Sequence, residues 1–335
     1  MTGFDWEAAA RRAAQLAPAG RTTSPARMRG LVHSLRDAAV AALPMGGEIT
    51  GLGSAAEAAA GNTVYVVDRA RWAEANAQTF AVYSGDADGD DGFWSSRSTV
   101  EEVGVVLALL SPRVLGQFDP FTGSRLLLVA PNILAAEREH AVDAMDFRLW
   151  VCLHEQTHAV QFSAAPWLAE YIGGRIAALT GSMGEREEAS LLTDFAGAIG
   201  TAVRGESQGD VITSALTESE RVEFDALIAT MSLLEGHADV VMDAVGPERI
   251  PGIKRIRARF DQKRGGSSRG LGSMMKKMLG LDMKLAQYRD GAVFVRAVID
   301  ELGHEGLNAV WAAPENLPSA AEIAEPELWL ARVHG

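Results

Sequence analysis

Phe147, Val151, His154, His158 and Phe162 recur at intervals of four, three, four and four residues. That period winds them onto one stripe of an α-helix, and an inward stripe holding two imidazoles restricts the fold severely. A buried ring nitrogen without a partner costs about 1–3 kcal/mol, so the tertiary structure must bring something to both rings. His154-Glu155-Gln156-Thr157-His158 has the H-E-x-x-H form, in which residues four apart stand one turn above each other and can reach one metal ion. Glu155 lies about 100° round the helix from His154, outside the ligand pair yet close enough to take a proton from water held by that ion. With seven His and 25 Glu in the chain, the motif is expected by chance only about 0.01 times.

Around this helix, predicted over about Ala141 to Phe162 and ended near Pro166, the chain reads as α+β and predominantly helical. Two helices are expected from Asp5 to about Leu43, the second capped by Ser24 with Pro25 at its first position and closed before Pro44. Strands are expected at Val64–Val67 and Leu126–Val129, and Val103 to Leu110 reads as an apolar helix or strand. Thr217-Glu218-Ser219-Glu220 is a capping box opening a long helix to Val245, before the Gly246-Pro247 stop. A Gly- and Ser-rich basic linker lies between Lys263 and Gly272, a further helix is expected over Met274 to Tyr288, and the tail from Ala312 carries Pro314, Pro318 and Pro326. The whole chain, 1–335, is read as one domain, with 1–62 and 270–335 as candidate helical subdomains.

Two other patterns are set aside. Gly51-Leu52-Gly53-Ser54-Ala55-Ala56 has the form of a dinucleotide fingerprint, but Pro44, Gly46 and Gly47 precede it where a buried strand is required. The acidic run Asp86 to Gly92 resembles a calcium loop, yet Asp91 and Arg97 stand where an EF-hand needs Gly and a bidentate Glu.

A catalytic zinc takes three protein ligands and one open position. Glu235-Gly236-His237-Ala238-Asp239 resembles the E-x-x-x-D segment on the second metal-binding helix of the gluzincins, the thermolysin-like branch of zinc peptidases. The resemblance implies Glu235 as third ligand beside His154 and His158, with Zn2+ as the ion. Asp239 falls one turn later on the same face, where it can accept the N–H of a ligating histidine and fix its tautomer. His237 is about 200° from Glu235 around the helix and is read as packed elsewhere, while Gly236 allows a neighbouring helix to approach closely. Asp243 continues the Glu235 stripe, to support the site or to pair with an arginine such as Arg255. Tyr288, His304 and His237 are candidate donors to an oxyanion. Cys152 is read as a small buried hydrophobe. The basic cluster Lys254, Arg255, Arg257, Arg259, Lys263, Arg264 and Arg269 is read as a solvated face or a lid hinge.

The stretch Trp150 to Phe162 with Pro166-Trp167-Leu168, together with Val66-Val67-Asp68-Arg69, Leu234 to Gly246 and Leu279 to Leu285, resembles a bacterial family of zincin-like hydrolases. The resemblance runs from the first helix to the closing Glu327 to Val333. Members are named zinc-dependent metalloproteases, or proteins associated with biosynthesis of a deazaflavin coenzyme. It implies a zincin-like fold with the metal site between two long helices and a small sheet.

The expected activity is a zinc-dependent hydrolase, a metallopeptidase using zinc-activated water with Glu155 as general base, on a peptide or small amide substrate. The alternatives are a small-molecule amide or ester hydrolase in cofactor metabolism and a non-catalytic zincin-like binding protein. A net charge of -13 argues against nucleic acid as partner. No apolar run approaches the roughly 20 residues of a bilayer span, and no secretion signal is visible at the start. With Cys152 the lone cysteine, the chain is expected in a reducing compartment, the cytoplasm.

Overall fold

The computed structural model describes residues 5–20, 23–83, 97–184, 216–262 and 291–335. The acidic run at Asp86, the Gly-Ser linker and the helix expected over Met274 to Tyr288 lie outside them.

The chain is predominantly helical with one small sheet, as the patterning predicts. Helix α1 (Trp6–Leu16) starts at Asp5, whose carboxylate accepts the N–H of Ala8. Helix α2 starts at Ser24 with Pro25 in its first turn, but it runs Pro25–Thr50, through Pro44. The expected stop at Pro44 is thus overturned. A proline inside a helix removes the hydrogen bond to the carbonyl four residues earlier, and here Val40 and Pro44 are both exposed, so water can serve that carbonyl. The helix closes instead at Gly51, which takes a left-handed conformation at φ 71°. Helix α3 (Gly53–Ala59) follows directly, so the glycines of the dinucleotide-like pattern form a helix–helix corner with no strand before it.

Strand β1 (Thr63–Val67) leads into α4 (Arg69–Tyr83); α5 (Arg97–Leu110) settles the ambiguous apolar run as helix. Strands β2 (Gly116–Asp119) and β3 (Arg125–Val129) complete a three-stranded sheet of order β1-β3-β2, with β1 parallel and β2 antiparallel to β3. Strand β2 was not anticipated from the sequence. Its alternate residues face opposite ways. Gln117 and Asp119 meet one stripe of α4: Trp72 Nε1 donates to Gln117 Oε1 at 2.8 Å, Asn76 Oδ1 accepts from Gln117 at 3.0 Å, and Thr79 donates to Asp119 at 2.8 Å. Buried Asp119 also pairs with Arg125 across the ladder at 2.9 Å. Gly116 and Phe118 are left to face the other way.

What they face is α7 (Ala144–Ala164), after α6 (Ala130–His140). The expected single inward stripe understates α7: every residue from Trp150 to Thr157 is buried. A helix buried all round must satisfy its polar side chains internally. Gln156 donates to the carbonyl of Ala39 on α2 at 2.9 Å, and Thr157 donates to its own helix at Leu153 O, 2.7 Å. Phe147, Trp150 and Leu153 pack with Leu35, Leu126 and Leu128 in the main core.

After α8 (Leu168–Gly184) comes α9 (Glu218–Ala244), opened by the expected capping box at Thr217, then α10 (Ile253–Gln262). Helix α11 (Gly291–Leu307) is broken at Gly303, φ 70°, and is followed by short turns, α12 (Ala320–Ala324) and α13 (Pro326–His334). These C-terminal elements pack on α9 through Phe294, Val298, Trp311 and Trp329. Helices α9 and α11 cross at glycines: a Cβ on Gly236 would lie 2.1 Å from the backbone carbon of Gly291. The close approach expected of Gly236 is thus to α11. Among the described residues, no helix is long and apolar enough to cross a membrane.

Because backbone cannot yield as a side-chain tip can, Gly236→Ala should lower the unfolding free energy by about 1–3 kcal/mol or more. The measurement is a urea titration, with the midpoint reduced at unchanged slope; a wild-type midpoint would mean the helices do not cross there.

Candidate metal centre

Helix α7 carries His154 and His158 one turn apart, and the long helix α9 crosses it with Glu235 opposite them. His154 Nε2 and His158 Nε2 lie 3.2 Å apart, and the two Glu235 oxygens lie 3.5 Å from His154 and 3.6 Å from His158. Donor atoms set tetrahedrally about 2.1 Å from a common centre stand about 3.4 Å from one another. The three residues therefore have the spacing, and the imidazole–imidazole–carboxylate chemistry, of a zinc site. Among the described residues they are also the group of three or more His, Cys, Asp or Glu whose ligand atoms converge. Burial pushes the His158 pKa down, against the hydrogen bond to Gln161, and a neutral imidazole is the form that ligates.

Glu155 is the next residue on α7 but turns away from the imidazole pair, toward β2. Its carboxylate is buried and takes a hydrogen bond from the backbone N–H of Phe118. The fit is tight, since a Cβ on Gly116 would come within 2.6 Å of Glu155 Cγ. Burial, then the neighbouring charge of Glu235, raise the Glu155 pKa well above the ordinary carboxylate range, and the Phe118 amide opposes them. Two carboxylates in one desolvated place cannot both ionise cheaply, and a divalent cation is what would stabilise both charges.

Two partners of the outer ring nitrogens are residues that the spacing did not single out. His158 Nδ1 lies 2.8 Å from Gln161 Oε1, and His154 Nδ1 lies 3.2 Å from Met242 Sδ. Both partners follow helical arithmetic: Gln161 is three residues after His158, and Met242 is seven after Glu235. Neither residue type stands out in sequence as a ligand's neighbour. Asp239 is buried on the Glu235 stripe, with Arg257 Nη1 3.5 Å from its Oδ1. Arg257 also pairs with Asp243 at 2.7 Å and lies over the Trp150 ring. Asp243 therefore pairs with Arg257, and with Arg296 at 2.9 Å. Arg257 corrects the reading of its cluster as solvated: among the described members it is the one turned inward, with its side chain 15% exposed.

His237 is fully buried, outside the converging trio, and packs against Trp311 with ring centroids 5.4 Å apart. Burial, then His304 and His158, push its pKa down to about 3, so it is neutral. His304 follows the break at Gly303 and is half-buried. Tyr288 lies outside the described residues, as do Lys263, Arg264 and Arg269. Cys152 is fully buried; its thiol donates to Leu35 O and its pKa is pushed up by burial and then Glu155.

A family model described as zincin-like metallopeptidase matches residues 4–330. Among solved structures, the chain is similar to a protein of Chloroflexus aurantiacus described as a candidate hydrolase with a novel fold. The two are 30% identical, the match covers 98% of each chain, and the TM-score is 0.65. A search of curated proteins finds no match.

Removing a residue that only supports a ligand typically costs a zinc site about 10- to 100-fold in affinity, so removing a ligand should cost about 100-fold or more. Competition with a chromophoric chelator should show one zinc per chain in the wild type and that loss in both His158→Ala and Glu235→Ala. Wild-type affinity in Glu235→Ala would remove Glu235 from the site.

Proposed function

The chain belongs to the zincin-like metallopeptidase family, and from that premise we propose that it is a zinc-dependent hydrolase of peptide bonds with Glu155 as general base. One observation carries the reading: His154, His158 and Glu235 converge at the spacing of a zinc site while the adjacent Glu155 is turned out of that set and held by β2. A site whose metal was purely structural would have no use for a carboxylate kept beside it.

Bound zinc would supply the Lewis acidity that lowers the pKa of a coordinated water towards about 7 and polarises a substrate carbonyl. His154, His158 and Glu235 would hold it, leaving one position open. Glu155 takes a proton from the attacking water on its carboxylate and returns it to the leaving nitrogen, so the same oxygen serves as base and then acid. The Phe118 amide supports this role in two ways. It keeps one carboxylate oxygen oriented, and it opposes the rise in pKa that burial imposes, keeping the base available. Beside it, Phe118 and Phe121 both pack on Phe162, with ring centroids 5.7 and 6.3 Å apart. His304 remains the described candidate for donating to the carbonyl oxygen as charge builds on it.

The test compares wild type, Glu155→Gln and Gly116→Ala on a peptide library and on a panel of small amides and esters. Glu155→Gln should keep its zinc and lose cleavage. Gly116→Ala should also keep its zinc but, by displacing the base, lose about 100-fold in kcat. Cleavage confined to small amides or esters would replace the peptidase assignment. Zinc-replete wild type inert on both sets would leave a binding protein.

A further inference from the structure

Behind the metal face of His158 runs a chain of hydrogen bonds whose direction can be fixed from a single backbone atom. The carbonyl of Leu234 can only accept, and the atom of Gln161 that lies 2.9 Å from it must therefore be the amide nitrogen. The other end of the same amide is then oxygen, and it lies 2.8 Å from His158 Nδ1. An oxygen without a proton can only accept, so His158 Nδ1 carries the hydrogen and its Nε2, the atom facing His154 and Glu235, keeps a lone pair. The second N–H of Gln161 meets His237 Nδ1 at 2.9 Å. That nitrogen must be the acceptor, which puts the ring hydrogen of neutral His237 on Nε2.

Resting on the metal reading of the site, we propose that Gln161, oriented by the Leu234 carbonyl, is a positioning residue that presets His158 as the metal-ready tautomer before any ion arrives. The arrangement has the ingredients of a lock. Gln161 and His237 are fully buried, so water cannot substitute for either partner. Leu234 immediately precedes Glu235, so one amide reads the position of the helix bearing the carboxylate and sets the proton on the helix bearing the imidazoles. If α9 moved away from α7, the amide would lose the contact that orients it, and with it the tautomer of His158. His237 serves in this scheme as the second fixed acceptor, which explains a neutral histidine buried off the metal face.

The experiment records long-range 15N–1H histidine spectra of the metal-free full-length protein, wild type, Gln161→Glu and Gln161→Met, with zinc affinity measured alongside by chelator competition. In the wild type His158 should be protonated on Nδ1 and His237 on Nε2. Gln161→Glu keeps an acceptor for His158 but has no donor for His237, so His158 should stay as it is while His237 moves its hydrogen to Nδ1. Gln161→Met, of similar size, should leave His158 a mixture of tautomers and weaken zinc binding by about 10- to 100-fold. Wild-type protein with His158 protonated on Nε2, or a folded Gln161→Met variant with unchanged zinc affinity, overturns the proposal. Should Gln161→Met not fold, the tautomers of wild type and Gln161→Glu decide alone. Correct tautomers in a wild type that binds no zinc would uphold the lock and sink the metal assignment; zinc binding with the wrong tautomers would do the reverse.

Discussion

Two imidazoles and two carboxylates brought together inside a protein are a desolvation problem, and much of this structure is arranged around it. His154, His158, Glu235 and Glu155 each give up water that no apolar neighbour can replace. Three of them converge on one another at ligand spacing, and the fourth is tied to a backbone amide of the sheet edge. The surrounding helix α7 tolerates no compensation from solvent, because its central turns are buried on every side. Hydrogen bonds from Gln156, Thr157 and Gln161 to main-chain carbonyls therefore do the work that water does at an exposed site.

The small sheet has the complementary task of holding Glu155. Strand β2 is four residues long, and its stability is borrowed from α4, whose Trp72, Asn76 and Thr79 stand at helical spacing to meet Gln117 and Asp119 at strand spacing. The opposite face is then free to press Gly116 and Phe118 against Glu155. A change on α4 can in this way reach Glu155 through one strand without touching it. On the other side, the glycine crossing of α9 and α11 sets how closely the C-terminal helices approach the helix that carries Glu235.

Much of this was readable from the chain alone. The imidazole pair on α7, the capping box at Thr217, β1 and β3, and the close approach at Gly236 are all local patterns of period, cap or residue size. Pro44 misled because a proline's cost depends on whether the carbonyl it orphans meets water, and that is decided by which face of α2 is exposed. Strand β2 was illegible because Gly116-Gln117-Phe118-Asp119 has little strand character of its own and owes its conformation to the neighbours it meets. Arg257 looked like one of several surface cations until the packing of α10 turned it onto Asp239 and Asp243 of α9.

The sequence by itself determined that two imidazoles would share one face with a carboxylate beside them, since the 3.6-residue turn is a property of the backbone and needs no distant partner. Tertiary structure alone decided which strand holds Glu155 and that Gln161 lies between Leu234, His158 and His237, and it stood Glu235, which only the family resemblance had named, opposite the imidazoles. Phe118 is 37 positions from Glu155, and Leu234 and His237 are more than 70 from Gln161. Their geometry is fixed by how whole helices pack, which no short-range pattern encodes.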